Sequence, residues 1–432
     1  MATLDGNEST DQSLDTRTDG PDNELPTLAI DERDNITFRW AGYGLLVDAE
    51  HFNSDGQAEL TFWHDTPDHK QLLLQKRAKL LSSSNTGPLI KELRDANDGL
   101  QYLPWNWILT CIGYKVLKTA RQGEPVQDIW PTEDDDLVPA YLLEPILYLN
   151  HPTVIFGDYG SFKSTLGLVI GYMAQLPHVD NKLGLVTLKE STHCLYLDYE
   201  DDPSSLRKRW GGIQRGFGIE APMPIPHRHM TNTLADSIDS LQQIKKEKDI
   251  KLLIVDSLGP AARGNLNDPE PAIKYHEALR KLGITSLTLA HCSKDQFTKR
   301  RSIFGSVFFT NLARSVWECK AEQESGETEA VISLSHRKAN LSKLHPTLGY
   351  RFTFTDSSIM IAKADLRDTG LSGELPLSVR ISDLLRRGAM PVKDIAEALD
   401  ANAGSVKSAV NRLAKKGITV KIGESWGLKQ EA

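Results

Sequence analysis

The chain has 432 residues, 40% of them hydrophobic and 25% charged, with a formal net charge of −8; this is an ordinary globular composition with room for two or three domains. Cys111, Cys194, Cys292 and Cys319 lie far apart, which excludes a disulfide framework or a zinc motif and fits a reducing cytoplasm. No apolar run is long enough to cross a bilayer, and the amino terminus lacks a basic start followed by an apolar stretch, so neither a membrane partner nor a signal peptide is expected.

Residues 1–36 hold ten acidic side chains against Arg17 and Arg33, which accounts for the whole net charge and leaves the rest of the chain neutral. So polar and acidic a segment is expected to stay disordered. A small α+β domain is expected over 37–136. Its alternating segments Thr37–Val47 and Glu59–Trp63 read as strands, and Leu72–Leu81, Pro88–Ala96 and Trp105–Arg121 carry apolar residues at helical spacing. Trp40, Trp63, Trp105 and Trp107 read as the core of this domain rather than as a base-stacking platform. Residues 125–136, with an acidic run, read as a linker.

From 137 to 366 the chain alternates strand and helix. Thr153–Phe156, His193–Leu197, Leu252–Val255 and Ser286–Ala290 are short and almost wholly apolar, as for parallel strands covered on both faces. Helices are expected at Ser164–Leu176, Pro203–Phe217, Ala235–Lys248 and Pro271–Leu282. The fold class is therefore α/β, a doubly wound and mostly parallel sheet. Ala313–Lys320, Ala330–His336 and Tyr350–Phe354 read as further strands, with a turn at Ser325-Gly326-Glu327. His227-x-His229 sits in a Pro-rich stretch and reads as surface loop rather than metal ligand.

The candidate site begins at Gly157-Asp158-Tyr159-Gly160-Ser161-Phe162-Lys163-Ser164-Thr165, a Gly-rich turn between strand and helix. The backbone N–H groups of such a turn wrap a phosphate, and the helix N-terminus adds a favourable dipole. Lys163 supplies charge to the β- and γ-phosphates of ATP, and Ser164 is placed to ligate Mg²⁺. Phe162 stands where glycine is usual, so the loop is expected to differ locally. Three other strands support the site: one ends in Asp256, suited to holding the water shell of the magnesium; one in the cluster Asp198, Glu200, Asp201, Asp202; one in His291. Open parallel sheets bind ligands at this carboxyl edge.

On these motifs the middle block resembles the RecA-like ATPases, especially the RepA-like hexameric replicative helicases and related ATPases of plasmids and phages, whose phosphate loops are similar to Gly-Ser-Phe-Lys-Ser. The resemblance implies that Glu200 is the general base, with Asp198 as the alternative, that Asp256 holds the metal-bound water, and that His291 senses the γ-phosphate. It also implies a homo-oligomer, a hexameric ring, in which a cation of one subunit completes the site of the next. Arg337 and Lys338 are the candidates for that cation, and Arg314 follows them. The stretch after His291 holds Lys294, Lys299, Arg300 and Arg301 against one acid, with Phe297 and Phe304. In RecA-like proteins a loop in this place holds nucleic acid, and bases with a phenyl ring suit that task.

The last block, 376–430, reads as helices over Val379–Arg387, Val392–Leu399 and Ser405–Lys416, closed by a hairpin of Ile418–Ile422 and Trp426–Leu428. The third helix shows Val406, Val410 and Leu413 on one face; Lys407, Arg412, Lys415 and Lys416 lie on the others, with no acid. This resembles a winged helix-turn-helix domain, which uses such a helix to read DNA, although the same fold also docks proteins. Together these features describe an oligomeric, DNA-associated ATPase, a helicase or helicase-like protein of a mobile element. The alternative is an ATP-switched DNA-binding regulator without unwinding activity; a metabolic kinase lacks an evident second phosphate site.

Overall fold

The computed structural model describes residues 24–31, 35–53, 55–96, 100–122, 126, 128–130, 139–176, 181–200, 202–219, 221–293 and 301–429. The chain divides into two compact units, 1–132 and 133–432.

In the first unit five strands, β1 (Thr27–Ile30), β2 (Ile36–Trp40), β3 (Leu45–Glu50), β4 (Gln57–Thr66) and β5 (His69–Lys79), form an antiparallel sheet in chain order. Helices α1 (Ser83–Ala96) and α2 (Trp105–Gln122) follow. Alternate residues of β2 and β4 are buried, among them Phe38, Trp40, Leu60 and Phe62, and they share a core with Leu93, Trp105, Ile108 and Ile112 of the helices. Trp63 and Trp107, expected in the same core, are only half-buried and lie outside it, whereas Trp40 and Trp105 are core residues, as expected. Their indole N–H groups donate to the carbonyls of Glu24 and Leu100.

Two expectations fail here. Leu72–Leu81 is no helix. It lies mainly in β5, paired with β4 from Thr66↔His69 onward across the two-residue turn Pro67-Asp68. A run of leucines has no clear period, and cross-strand pairing along β4 decides its conformation. The expected disordered tail of 1–36 also ends too late, because Thr27–Ile30 pairs with Ile36–Arg39 as an edge strand; residues 1–23 lie outside the described residues.

The second unit opens with β6 (Tyr141–Glu144), β7 (Leu147–Tyr148), β8 (Pro152–Gly157), α3 (Lys163–Gln175), β9 (Val186–Thr187), β10 (His193–Asp198), α4 (Pro203–Gly216), β11 (His227–His229), α5 (Ile238–Lys248) and β12 (Ile250–Asp256). It continues with α6 (Leu258–Ala262), α7 (Pro269–Leu282), β13 (Thr285–His291), α8 (Val307–Leu312), β14 (Ser315–Glu322), β15 (Glu329–Ala339), β16 (Leu348–Phe354) and β17 (Ile359–Lys363). A nine-stranded sheet runs β11-β10-β12-β13-β8-β14-β15-β16-β17. It is parallel from β11 to β14 and antiparallel beyond. His227-x-His229 is thus an edge strand rather than a loop, and the His227 ring faces Asp198 at 3.4 Å.

Along β8, Val154 and Phe156 point into one core and Ile155 into the other. Leu166, Val169, Tyr172 and Met173 of α3, with Leu206, Trp210 and Ile213 of α4, cover one face; residues of α5 to α8, including Leu241, Tyr275 and Phe309, cover the other. This double burial is why the strands read as continuous apolar runs. It also leaves the carboxyl edge of the parallel strands as the place where polar groups gather.

After a 3₁₀ turn at Gly370–Glu374 come α9 (Leu377–Leu385), β18 (Met390–Pro391), α10 (Val392–Ala398), α11 (Ala403–Lys415), β19 (Thr419–Ile422) and β20 (Ser425–Leu428). Ile381, Leu385, Ile395, Val406, Val410 and Leu413 form their core. Asn402 caps α11 by accepting from the Gly404 and Ser405 N–H groups, so the helix starts two residues before the expected Ser405.

Candidate active site

The site is built on the junction of β8 and α3. A Cβ at Gly157 would overlap the Cys319 carbonyl oxygen of the neighbouring β14, so only glycine fits where the strand ends. Gly160 has a φ of +75° and Phe162 a φ of +60°. The latter is the left-handed conformation a glycine adopts without strain, and it costs another residue about 1–2 kcal/mol. The expected local departure of the loop is therefore absent. Phe162 keeps the glycine conformation, and its ring packs on Phe352 and Phe354, at centroid distances of 5.9 and 5.4 Å. Such packing, with the apolar burial it brings, is large enough to offset the backbone strain.

The first bond of α3 runs from Leu166 N–H to the Phe162 carbonyl, so the N–H groups of Lys163, Ser164 and Thr165 have no partner within the helix. Lys163 is buried, at 8% exposure. Its Nζ donates to the carbonyls of Gly157 (3.2 Å) and Asp158 (2.7 Å) and to the Ser161 hydroxyl (3.2 Å). Among the described residues no carboxylate forms an ion pair with it. Burial lowers its pKa below the ordinary lysine value. An ammonium held by neutral oxygens, beside unpaired helix N–H groups, is a charge built to meet an anion.

Asp256, at the end of β12, is buried, and burial raises its carboxyl above the ordinary aspartate value. The Tyr196 hydroxyl donates to its Oδ2 at 2.5 Å, and Ser164 also hydrogen-bonds to it. The hydroxyl of Ser164 and the carboxylate of Asp256 thus stand together as hard oxygen donors, which fits magnesium. Nothing in the sequence marked Tyr196, two residues before Asp198 in an apolar strand.

Glu200, just past β10, is exposed, and its carboxylate accepts from the Ser257 hydroxyl beside Asp256. His291 Nε2 lies 3.7 Å from the same carboxylate. Asp198, by contrast, is buried, accepts from the Glu200 backbone N–H and faces His227. The phosphate loop, Ser164, Asp256, Glu200 and His291 thus meet at one edge of the sheet.

Other candidates are placed differently. Lys338 is a helix cap: its ammonium donates to the carbonyls of Thr310, Asn311 and Ala313, where α8 ends. With all three donors used at that helix end, it is not a free cation. Arg337 lies between the carboxylates of Glu318 (2.7 Å) and Glu374 (2.5 Å). Arg301 turns back to pair with Asp158 of the phosphate loop, whose other carboxylate oxygen accepts from the Cys292 thiol at 2.8 Å. Lys294, Lys299 and Arg300 lie outside the described residues. Lys407, Arg412, Lys415 and Lys416 are exposed on or just past α11.

A protein-family model described as an AAA domain matches residues 126–296, a span that holds the phosphate loop, Glu200, Asp256 and His291. No curated protein matches the sequence. Among solved structures, a KaiC-like protein from the hyperthermophilic archaeon Pyrococcus horikoshii is similar at 15% identity and a TM-score of 0.35, over 52% of this chain and 95% of that one.

The strain at Phe162 orders a set of variants. Phe162→Gly gives up the ring packing but gains the freely left-handed residue, whereas Phe162→Ala gives up the ring and keeps the strain. In urea denaturation stability is expected to fall in the order wild type, Phe162→Gly, Phe162→Ala, the last two about 1–2 kcal/mol apart. Equal stability of the two variants would contradict the account of the loop.

Proposed function

We propose that the chain is an ATP-hydrolysing RecA-like motor that acts on DNA as an oligomer, a helicase or helicase-like protein of a plasmid, phage or other mobile element. The observation that carries the hydrolytic part is the buried Lys163 ammonium at the head of α3, held by carbonyl and hydroxyl oxygens and, among the described residues, by no ion pair. In this reading the loop Gly157–Thr165 wraps the β- and γ-phosphates, and Lys163 exchanges its carbonyl partners for phosphate oxygens. Ser164 and Asp256 hold magnesium, which when bound neutralises charge between the β- and γ-phosphates. Glu200 takes a proton from the attacking water as its oxygen bonds to the γ-phosphorus. The bond from that phosphorus to the bridging oxygen breaks, and its electron pair leaves with ADP.

Glu200 is favoured over Asp198 because its carboxylate is exposed, while that of Asp198 is enclosed and already accepts the Glu200 N–H. His291, 3.7 Å from Glu200, reports the state of that carboxylate to the basic loop that follows. Of the trans-acting candidates, Arg337 is preferred to Lys338, which is spent on α8, and the exposed Arg314 stays the next choice.

The carboxy-terminal helices and three-stranded sheet are read as a winged helix whose α11 faces DNA. Its support is an outer face with Lys407, Ser408, Asn411, Arg412 and Lys415 and no acid. The rival regulator reading is separated by strand displacement on forked DNA. DNA-stimulated ATPase without displacement would favour the regulator.

Glu200→Gln is expected to lower kcat by about 10²–10⁴ while ATP still binds; a steady-state assay showing near wild-type turnover would remove Glu200 as the base. Replacing Lys407, Arg412, Lys415 and Lys416 by glutamine should flatten the dependence of DNA affinity on salt by about 0.9 log unit for each phosphate no longer neutralised. An unchanged salt slope would take DNA away from this helix.

A further inference from the structure

We propose that Glu374, in the turn leading into the carboxy-terminal block, is a latch that holds Arg337 back from a neighbouring subunit until that block is engaged. The proposal rests on the reading of Arg337 as the trans-acting cation. Glu374 uses both carboxylate oxygens: Oε2 is 2.5 Å from Arg337 Nη2, and Oε1 is 2.5 Å from Lys320 Nζ. The Ser335 hydroxyl also donates to Oε2 at 3.4 Å, and the Glu374 carbonyl accepts from the Thr347 hydroxyl at 2.9 Å. The turn is fixed at its other end, where the Gly370 N–H donates to Glu322 and Leu371 is buried. Burial works to raise the Glu374 carboxyl, but the charges of Lys320 and Arg337 outweigh it and hold the group below the ordinary glutamate value.

The second carboxylate on Arg337 has a different origin. Glu318 belongs to β14, the neighbour of the phosphate-loop strand, and its side chain is buried. It receives Arg337 Nε at 2.7 Å and belongs to the rigid sheet. Glu374 belongs to a turn, and α9 begins at Leu377, three residues on. Arg337 and Lys320 share the carboxylates of Glu318 and Glu374, two cations on two anions. A phosphate approaching this neutral cluster finds the Arg337 charge offset and its donors taken, so in this arrangement Arg337 is a poor partner for a neighbour's nucleotide. Removing Glu374 leaves two cations on Glu318, a net positive charge. The Arg337 side chain is 43% exposed while Glu374 is 15% exposed, so water reaches the arginine and can replace its contact with Glu374, as a latch requires. A load on α9 to α11, such as DNA docking, reaches Glu374 through a few residues of chain. Glu374 is thus a positioning residue that acts through Arg337.

The test compares resting ATPase of the full chain without DNA in wild type, Glu374→Gln, Arg337→Ala, the double variant and Lys320→Gln. Glu374→Gln is expected to raise kcat on the order of fivefold with KM for ATP unchanged, the double variant to fall to the Arg337→Ala rate, and Lys320→Gln to stay at the wild-type rate. If Arg337→Ala keeps wild-type turnover when DNA is present, the trans-acting reading fails and the latch with it. If Arg337→Ala is slow with DNA but the resting rate of Glu374→Gln is unchanged or lower, the latch alone fails. A rise in Lys320→Gln equal to that in Glu374→Gln would overturn it too, as general loosening of the turn. Should Glu374→Gln not fold, phenylglyoxal labelling of wild type read by mass spectrometry decides. Arg337 is expected to react slowly at rest and faster with DNA, and an equal rate would contradict the latch.

Discussion

A lysine ammonium is buried where α3 begins, satisfied by two carbonyls and a hydroxyl and, among the described residues, hydrogen-bonded to no carboxylate. Solvation is lost there and no ion pair among the described residues replaces it, so carbonyl dipoles, with the more distant charges of Asp256 and Glu200, keep the position stable. Most other features of the site follow from that constraint. The loop must fold tightly enough to present the Gly157 and Asp158 carbonyls to Lys163. That demands a glycine against the Cys319 carbonyl and left-handed backbone at Gly160 and Phe162. The same geometry leaves the N–H groups of the first turn of α3 open to an anion.

The sheet order gives the site its remaining groups. β8 lies between β13 and β14, and β12 and β10 follow on the β13 side. His291 pairs in register with Gly157, and Asp256 with both Leu289 and Asp198. Parallel strands of similar length thus bring His291, Asp256 and Glu200 to one edge although they are scattered in sequence. On the β14 side the edge carries Glu318 and Lys320, which pair with Arg337 of β15 and with Glu374 of the turn before α9.

The strand ends were legible because a doubly covered parallel strand reads as one apolar run, and a polar residue that closes such a run has only the sheet edge to occupy. Helices α3, α4 and α7 were legible from period and caps. What escaped depends on partners remote in sequence. The three consecutive leucines of β5 have no decisive period, and β4 settles their conformation. Phe162 looked like a flaw because its compensation comes from Phe352 and Phe354. Lys338, Arg337 and Arg301 all read as free bases, since neither the end of α8 nor Glu318, Glu374 or Asp158 can be assigned to them from local spacing. Tyr196 gave no signal at all; a tyrosine in an apolar strand is ordinary, and only the register with β12 sets its hydroxyl on Asp256.

The central claim is that the buried Lys163 ammonium, held by two carbonyls and a hydroxyl, is placed to bind a triphosphate. Calorimetric titration of wild type and Lys163→Met with magnesium and a non-hydrolysable ATP analogue tests it without reference to turnover, DNA or assembly. Saturable binding by wild type, weakened by about tenfold to a hundredfold in the variant, is the expected result. Equal affinity in both chains, or no binding by wild type, would contradict the account.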